Sequence, residues 1–313
     1  MEQAVVVSAA RTPVGRYGGV FRDIKASTLL SYAVKAAVER ANIDPGVVDE
    51  VVVGHVLANG ENPNVARLGW LEAGFPIEVP AYTLDRQCGS GLQAIVNAGL
   101  LIQTGDAQVV VAGGVESEST AEYYVTNARW GYRLGDGQFY DRIARAGFKV
   151  SCPEAFPPVE GMMHTSEKLA DRYQITREEA DQLAVRSHQN AIAAIEAGKF
   201  RQEIVPVPVK QPKVGMVAID TDEGPRKETS PEALAKLPVL AGRIHTAGNA
   251  SSINDGAAAV VVMTESKARE LGLEPRLYFR GYAAAGVDPT IMGIGPVPAV
   301  RKVMAKTGLC LDQ

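Results

Sequence analysis

The chain has 313 residues, 46% of them apolar, and a formal net charge of −4; it is long enough for one large or two ordinary domains and has no general attraction to nucleic acid or an anionic membrane. Its three cysteines, Cys88, Cys152 and Cys310, form no CxxC pair, which argues against a disulfide framework and a zinc site and for a reducing, cytoplasmic setting. Met1-Glu-Gln-Ala lacks the basic and apolar regions of a signal peptide, and no apolar run approaches the length of a membrane span.

In chain order, the β-branched run Ala4 to Ser8 predicts a strand, and Arg11 to Gly19 a loop. From Ser27 to Ala41 the residues Leu29, Leu30, Ala33, Ala36, Ala37 and Ala41 fall on one side of a helix, which Asn42-Ile-Asp-Pro45 ends. Glu50 to Val56 is a second strand and Asn64 to Ala73 a second helix. The strand Val79 to Leu84 runs into a helix from Gly89 to Gln103, ended by Gly105-Asp106. Apolar residues cover nearly every face of that helix, which predicts burial all round. Gln108 to Ala112 is a buried strand closed by Gly113-Gly114. This alternation argues for an α/β sheet with helices on its faces.

From about Glu116 to Thr246 the strand rhythm stops. Thr176-Arg-Glu-Glu179 is a capping box opening a helix to about Ala197, with Gly198 as its stop, and Gln202 to Val214 is extended and contains prolines. The block 118–246 therefore reads as an inserted, lid-like subdomain. Ala247 to Gly256 is a small-residue turn leading into a buried strand, Ala257 to Met263, and a short helix ended by Gly272. Residues 1–117 and 247–272 then form one half. Leu277 to Tyr282 is a strand and Val297 to Thr307 a helix. Ala33 to Ile43 and Ala299 to Leu309 match in apolar pattern, so 273–313 reads as the start of a second, similar half, with the chain ending inside it.

Cys88 sits at a strand-to-helix junction. A helix start offers unpaired N–H groups and a partial positive charge, which favour a thiolate. Gly89-Ser-Gly91 carries almost no side chain, so another backbone or a substrate can approach the sulfur. An acyl-accepting nucleophile can be built this way; a small buried hydrophobe is the other reading of such a cysteine.

With these residues in view, the sequence resembles the thiolase family, the acyl-CoA C-acyltransferases. Arg11-Thr-Pro-Val-Gly-Arg-Tyr-Gly-Gly19 is similar to the family's opening and Asp85-Arg86-Gln87-Cys88-Gly89-Ser90-Gly91 to its nucleophile motif. Gly113-Gly-Val-Glu-Ser-Glu-Ser119, Ala247-Gly-Asn-Ala-Ser-Ser-Ile-Asn-Asp-Gly-Ala-Ala258 and Gly293-Ile-Gly-Pro-Val-Pro298 resemble further signatures. The resemblance implies two βαβαβαββ halves with a lid inserted in the first, a homodimer or homotetramer, and a role in fatty acid metabolism. It implies coenzyme A thioesters as substrates and no permanently bound cofactor. Cys88 would carry the acyl group, and its own N–H would be an oxyanion donor. Met162 would contact pantetheine, Arg226 would contact CoA, and pantetheine would lie along Ala247, Gly248 and Ser251.

None of His55, His164, His188 and His245 matches the family's catalytic histidine, and His188, on the capped helix, reads as structural. The family pattern continues past Gln313 with an Asn-Glu-Ala-Phe segment, the catalytic histidine and a second cysteine. Cys310 lacks the glycine-rich context of that cysteine, so activity of this chain alone is expected to be impaired. Lys149 to Pro158 follows no pattern of the family, which leaves acyl length open. Two rival readings are a non-catalytic acyl-CoA-binding or assembly module needing a separate C-terminal partner, and a carrier-fed condensing enzyme. The match at Ala247 to Ser251 argues against the latter.

Overall fold

The computed structural model describes residues 2–145 and 161–312; Cys152 and the whole Lys149–Pro158 stretch lie outside the described residues. Strand β1 (Ala4–Arg11) is followed by the short β2 (Gly15–Arg16) and by helix α1 (Ala26–Ala41). The apolar side expected of α1 is buried, and Asn42 ends the helix in the left-handed conformation, which asparagine tolerates. Strand β3 (Glu50–Gly54) leads to α2 (Val65–Glu72) and β4 (Ala81–Leu84). Asn64 caps α2 and ties it to β4: its side-chain oxygen accepts from Arg67 N–H and from the Thr83 hydroxyl, and its amide donates to the Ala81 carbonyl.

Next come α3 (Ser90–Thr104), stopped by left-handed Gly105, and β5 (Val109–Ser117). A small hairpin, β6 (Tyr123–Val125) and β7 (Phe139–Asp141), precedes α4 (Met162–Tyr173) and α5 (Arg177–Glu196). The capping box is formed in both directions, with Thr176 N–H donating to Glu179 Oε2 at 2.8 Å and Glu179 N–H donating to Thr176 Oγ1 at 3.2 Å. The extended, proline-bearing segment supplies β8 (Val207–Gln211), which turns back as β9 (Gly215–Ile219). Helix α6 (Pro231–Ala235), β10 (Val239–Ala241), β11 (His245–Thr246), β12 (Asn254–Thr264), α7 (Glu265–Glu270), β13 (Leu277–Tyr278) and α8 (Pro296–Thr307) complete the order.

The main sheet is mixed, in the order β13–β1–β12–β5–β3–β4 with β2 beside β12. Strand β3 is parallel to β4 and β5, which the crossovers through α2 and α3 require, while β12 runs antiparallel to β5 and β1. Alternation along the strands builds two cores. Val51, Val53, Val111 and Val261 pack with Leu29, Leu30 and Trp70 on one face, and Val52, Val110 and Val262 pack with Ala94, Ala98 and Ile102 of α3 on the other.

The described residues form two compact units. The first takes those up to Thr120, Ala197–Gly224 and Ser252–Phe279; the second takes Ala121–Glu196, Pro225–Ser251 and those from Arg280 on. Residues 197–224 are held to the first by β1, where Arg11 N–H donates to the Glu203 carbonyl at 2.9 Å and Val205 N–H to the Arg11 carbonyl at 2.8 Å. The two helices with matching apolar pattern, α1 and α8, both end on a left-handed residue, Asn42 and Gly308, but α1 is largely buried and no residue of α8 is. Burial of α3 all round is corrected: it lies with one side on the sheet, and Leu92 on the other side is 70% exposed. No helix among the described residues is long and apolar enough to cross a membrane.

Candidate active site

Cys88 is exposed and in no disulfide, in the short connection between β4 and α3. The connection is closed by Ser90, a buried residue whose hydroxyl accepts from Arg86 N–H at 2.7 Å and donates to the Gln87 carbonyl at 2.6 Å. Asp85 accepts from Gln87 N–H at 2.6 Å. These bonds hold Gln87 at φ 49°, a left-handed conformation that costs a non-glycine residue about 1 kcal/mol. The price of this bend falls on the residue just before the thiol, as in other sites where backbone strain sets a functional group.

The first turn of α3 rests on bare backbone. Gly54 ends β3, and Gly114 is its direct partner in β5. A Cβ on Gly54 would lie 2.5 Å from Gly91 N and 2.6 Å from the Ser90 carbonyl oxygen; one on Gly114 would lie 3.1 Å from Gly91 Cα. Close approach of backbone to backbone is what glycine permits.

Beyond Gly54 the chain is gripped by Glu116. Its carboxylate accepts from Val56 N–H at 3.0 Å and Leu57 N–H at 2.9 Å, and its Oε1 lies 2.9 Å from His55 Nδ1. The Val115 carbonyl also lies 3.0 Å from His55 Nδ1. Both neighbours are acceptors, so Nδ1 carries the proton. His55 N–H in turn donates to the Leu84 carbonyl at 3.0 Å, the last residue before the Cys88 connection. His55 Nε2 is buried without a hydrogen-bond partner among the described residues.

Two further acids follow. Asp255, buried at the start of β12, accepts from Ser119 N–H and Oγ. Burial pushes its carboxyl above the usual range despite those bonds. Glu118 is pushed up to about 7, first by burial and then by the charges of Glu116 and Asp255. A carboxyl raised in the fold keeps its proton where the unfolded chain has lost it, so its contribution to stability falls as pH rises from 4.5 toward 7. Glu118→Gln should flatten that slope and raise stability at pH 8 by about 1 kcal/mol, a figure discounted for partial exposure. Urea unfolding at pH 5 and pH 8 checks this; an unchanged slope would show that Glu118 is well solvated.

The remaining expected site residues belong to the second unit. Ala247, Gly248 and Ser251 lie on one turn, with Ala247 and Ser251 exposed and Thr246 before them buried. Met162 starts α4 and is exposed. Four residues further along α4, Ser166 Oγ lies 3.1 Å from His245 Nδ1, so this end of the helix stands beside the strand leading into the turn. Arg226 is exposed in a loop, and its N–H donates to His188 Nδ1 at 3.2 Å, which makes His188 a backbone anchor. The turn and Met162 are thus gathered on neighbouring segments, and Cys88 is placed in the first unit.

Residues 4–266 match the model of "Thiolase, N-terminal domain". An acetyl-CoA acetyltransferase of Syntrophomonas wolfei is 46% identical over 314 residues, covering 99% of this chain and 78% of that protein. One of Escherichia coli is 45% identical over 315 residues, with 99% and 78% covered. The chain belongs to the thiolase family. The crystal structure of the Bacillus anthracis acetyl-CoA acetyltransferase agrees with this thiolase chain at a TM-score of 0.94 and 42% identity, over 100% of this chain and 78% of that one. These relationships support a thiolase-type acyltransferase function. No group of three His, Cys, Asp or Glu residues that could hold a metal ion occurs among the described residues.

The supports of the Cys88 connection are less visible in the sequence than the cysteine. His55 reads there only as a strand end, and Glu116 only as part of a glycine-rich turn. The one available signal was the pair of acids in Gly113-Gly-Val-Glu-Ser-Glu-Ser119, polar residues directly after a fully apolar strand.

Proposed function

We propose that this chain acts on coenzyme A thioesters, forming or cleaving 3-oxoacyl-CoA through an acyl-cysteine at Cys88. The Cys88 thiolate attacks the thioester carbonyl, the C–S bond to CoA breaks, and CoA leaves as its thiolate. A second acyl-CoA, having lost an α-proton to a base, attacks the acyl carbon and releases the Cys88 thiolate; cleavage is the reverse. The Cys88 N–H is an oxyanion donor in this reading. Met162 and the Ala247, Gly248 and Ser251 turn take the pantetheine arm, and Arg226 contacts CoA. The observation that carries the proposal is an exposed thiol on a glycine-seated helix start, in a chain closely related to acetyl-CoA acetyltransferases.

The proposal extends to a homodimer or homotetramer in the cytoplasm, with no bound cofactor. Strand β4 ends the sheet, and its outer edge is one that a second copy continues. It also takes 1–117 and 247–272 as one thiolase half, 118–246 as an insertion with 197–224 folded back on the sheet, and 273–313 as the start of the second half. Catalysis by this chain alone is impaired in this reading. The unburied α8 favours a second reading, an acyl-CoA-binding or assembly module completed by a separate C-terminal chain.

Intact-protein and peptide mass spectrometry after incubation with acetyl-CoA tests the site. One acetyl group is expected on the Cys88 peptide, and none after Cys88→Ala. Acetylation that persists in Cys88→Ala, or an unmodified Cys88 in a sample that binds CoA, would overturn the catalytic reading and leave the binding module.

A further inference from the structure

The turn that carries Ala247, Gly248 and Ser251 is held by two buried carboxylates that nothing in the acyl-transfer scheme uses. Glu167, on α4, accepts from the N–H groups of Arg243 at 2.8 Å, Ile244 at 3.0 Å and His245 at 2.8 Å. Burial raises its carboxyl, but the three backbone bonds and His245 outweigh that and hold it below the usual range. Gly242 leaves room for it, since a Cβ there would run into the Glu167 side chain. Asp181, on α5, accepts at Oδ1 from the Asn249 amide at 2.9 Å and at Oδ2 from Arg177 Nε at 2.7 Å.

Asn249 is the centre of the turn. Its oxygen accepts from Thr246 N–H at 2.9 Å, and its amide donates to the Ile244 carbonyl at 2.8 Å as well as to Asp181. Arg177 also donates to the Leu234 carbonyl at 2.7 Å. Leu234 and Leu237 are the side chains that a Cβ on Gly248 would strike, at 2.6 Å for Leu237 Cδ1. The turn is thus closed from below by α4, α5 and α6, while Ala247 and Ser251 face outward.

Burying an ionised carboxylate is expensive unless several donors compensate it. Here Glu167 is set against the N–H groups of Arg243, Ile244 and His245, and Asp181 against the Asn249 amide and Arg177. An apolar plug would have covered the turn; it would not have fixed its N–H and C=O directions. Fixed directions matter to a ledge that receives a flexible ligand arm, because preorganisation lowers the ordering cost of binding.

We infer that Asp181, acting through Asn249, is a positioning residue that sets the ledge for the pantetheine arm of CoA, with Glu167 as its counterpart on the preceding strand. The inference rests on the proposed function. Asparagine at 181 has one oxygen where aspartate has two, so its NH2 must face either the Asn249 amide or Arg177, donor against donor.

The test is calorimetric titration of the full chain with CoA, in wild type, Asp181→Asn, Asn249→Ala and the double variant. Each single change should weaken CoA binding about tenfold, and the double variant should be no weaker than the weaker single, because both break one device. The rate of Cys88 alkylation by iodoacetamide should stay within twofold of wild type in all three, which damage to the fold at large would not allow. Affinity of Asp181→Asn within twofold of wild type would overturn the inference. So would losses that multiply to about a hundredfold in the double variant, the mark of independent sites. Should Asp181→Asn fail to fold, unchanged CoA affinity in Asn249→Ala would overturn it as well, and a tenfold loss there would support it. A wild-type chain with no CoA affinity would instead remove the proposed function itself.

Discussion

Gly54→Ala will unseat the helix start that carries Cys88. The added methyl meets backbone atoms, Gly91 N at 2.5 Å and the Ser90 carbonyl oxygen at 2.6 Å, and neither can swing aside as a side-chain end would. Either β3 bends or the first turn of α3 lifts. Overpacking of this kind costs roughly 3 kcal/mol. The lift also breaks the Ser90 contacts to Arg86 N–H and the Gln87 carbonyl, which set the bend before Cys88. A displacement of about 1 Å at a reacting group costs about a hundredfold in rate, so acetylation of Cys88 should fall by that factor. Urea unfolding and timed mass spectrometry give the two numbers. Stability within about 0.5 kcal/mol of wild type would mean the contact is soft and the helix start is held elsewhere.

Glu116→Ala should be nearly as severe. Val56 N–H and Leu57 N–H lose their shared acceptor, while His55 Nδ1 keeps the Val115 carbonyl and loses the carboxylate 2.9 Å away. A donor left unpaired in a partly buried place costs 1–3 kcal/mol, and water relieves some of it, so a loss of about 3 kcal/mol is expected. Glu116→Gln keeps one oxygen and should lose about half as much. Equal losses in the two variants, measured by urea unfolding, would show that charge and not the donor cage sets the effect.

The elements were legible where a periodic pattern met a local stop signal. The α1 stripe ended at Asn42, the α5 capping box closed at Thr176 and Glu179, and α3 stopped at Gly105, because each is decided within a few residues. The position of Cys88 at a strand-to-helix junction was legible for the same reason, lying between a short strand and Gly89-Ser-Gly91. What was not legible depends on partners far along the chain. The Leu92 face of α3 looks like core by composition and is exposed, since composition does not say which side the sheet covers. The grip of Glu116 on His55 spans about sixty residues, and the role of Asp181 at Asn249 spans sixty-eight. No window in the sequence contains both ends of either pair. Of residues 202–214, read as extended, 207–211 form β8, and the place of the segment beside β1 rests on backbone bonds to Arg11 together with Arg11–Glu203 and Arg40 side-chain contacts made across long stretches of chain.

The contact of Gly54, Gly91 and Gly114 also governs how such a chain can diverge. The three positions come from three separate segments, and a methyl gained at Gly54 cannot be offset by trimming a neighbour, because no neighbour there has anything left to trim. Any lineage that keeps the helix start at this height is held to glycine at Gly54 and Gly114 together, two positions on neighbouring strands that face the same turn of backbone.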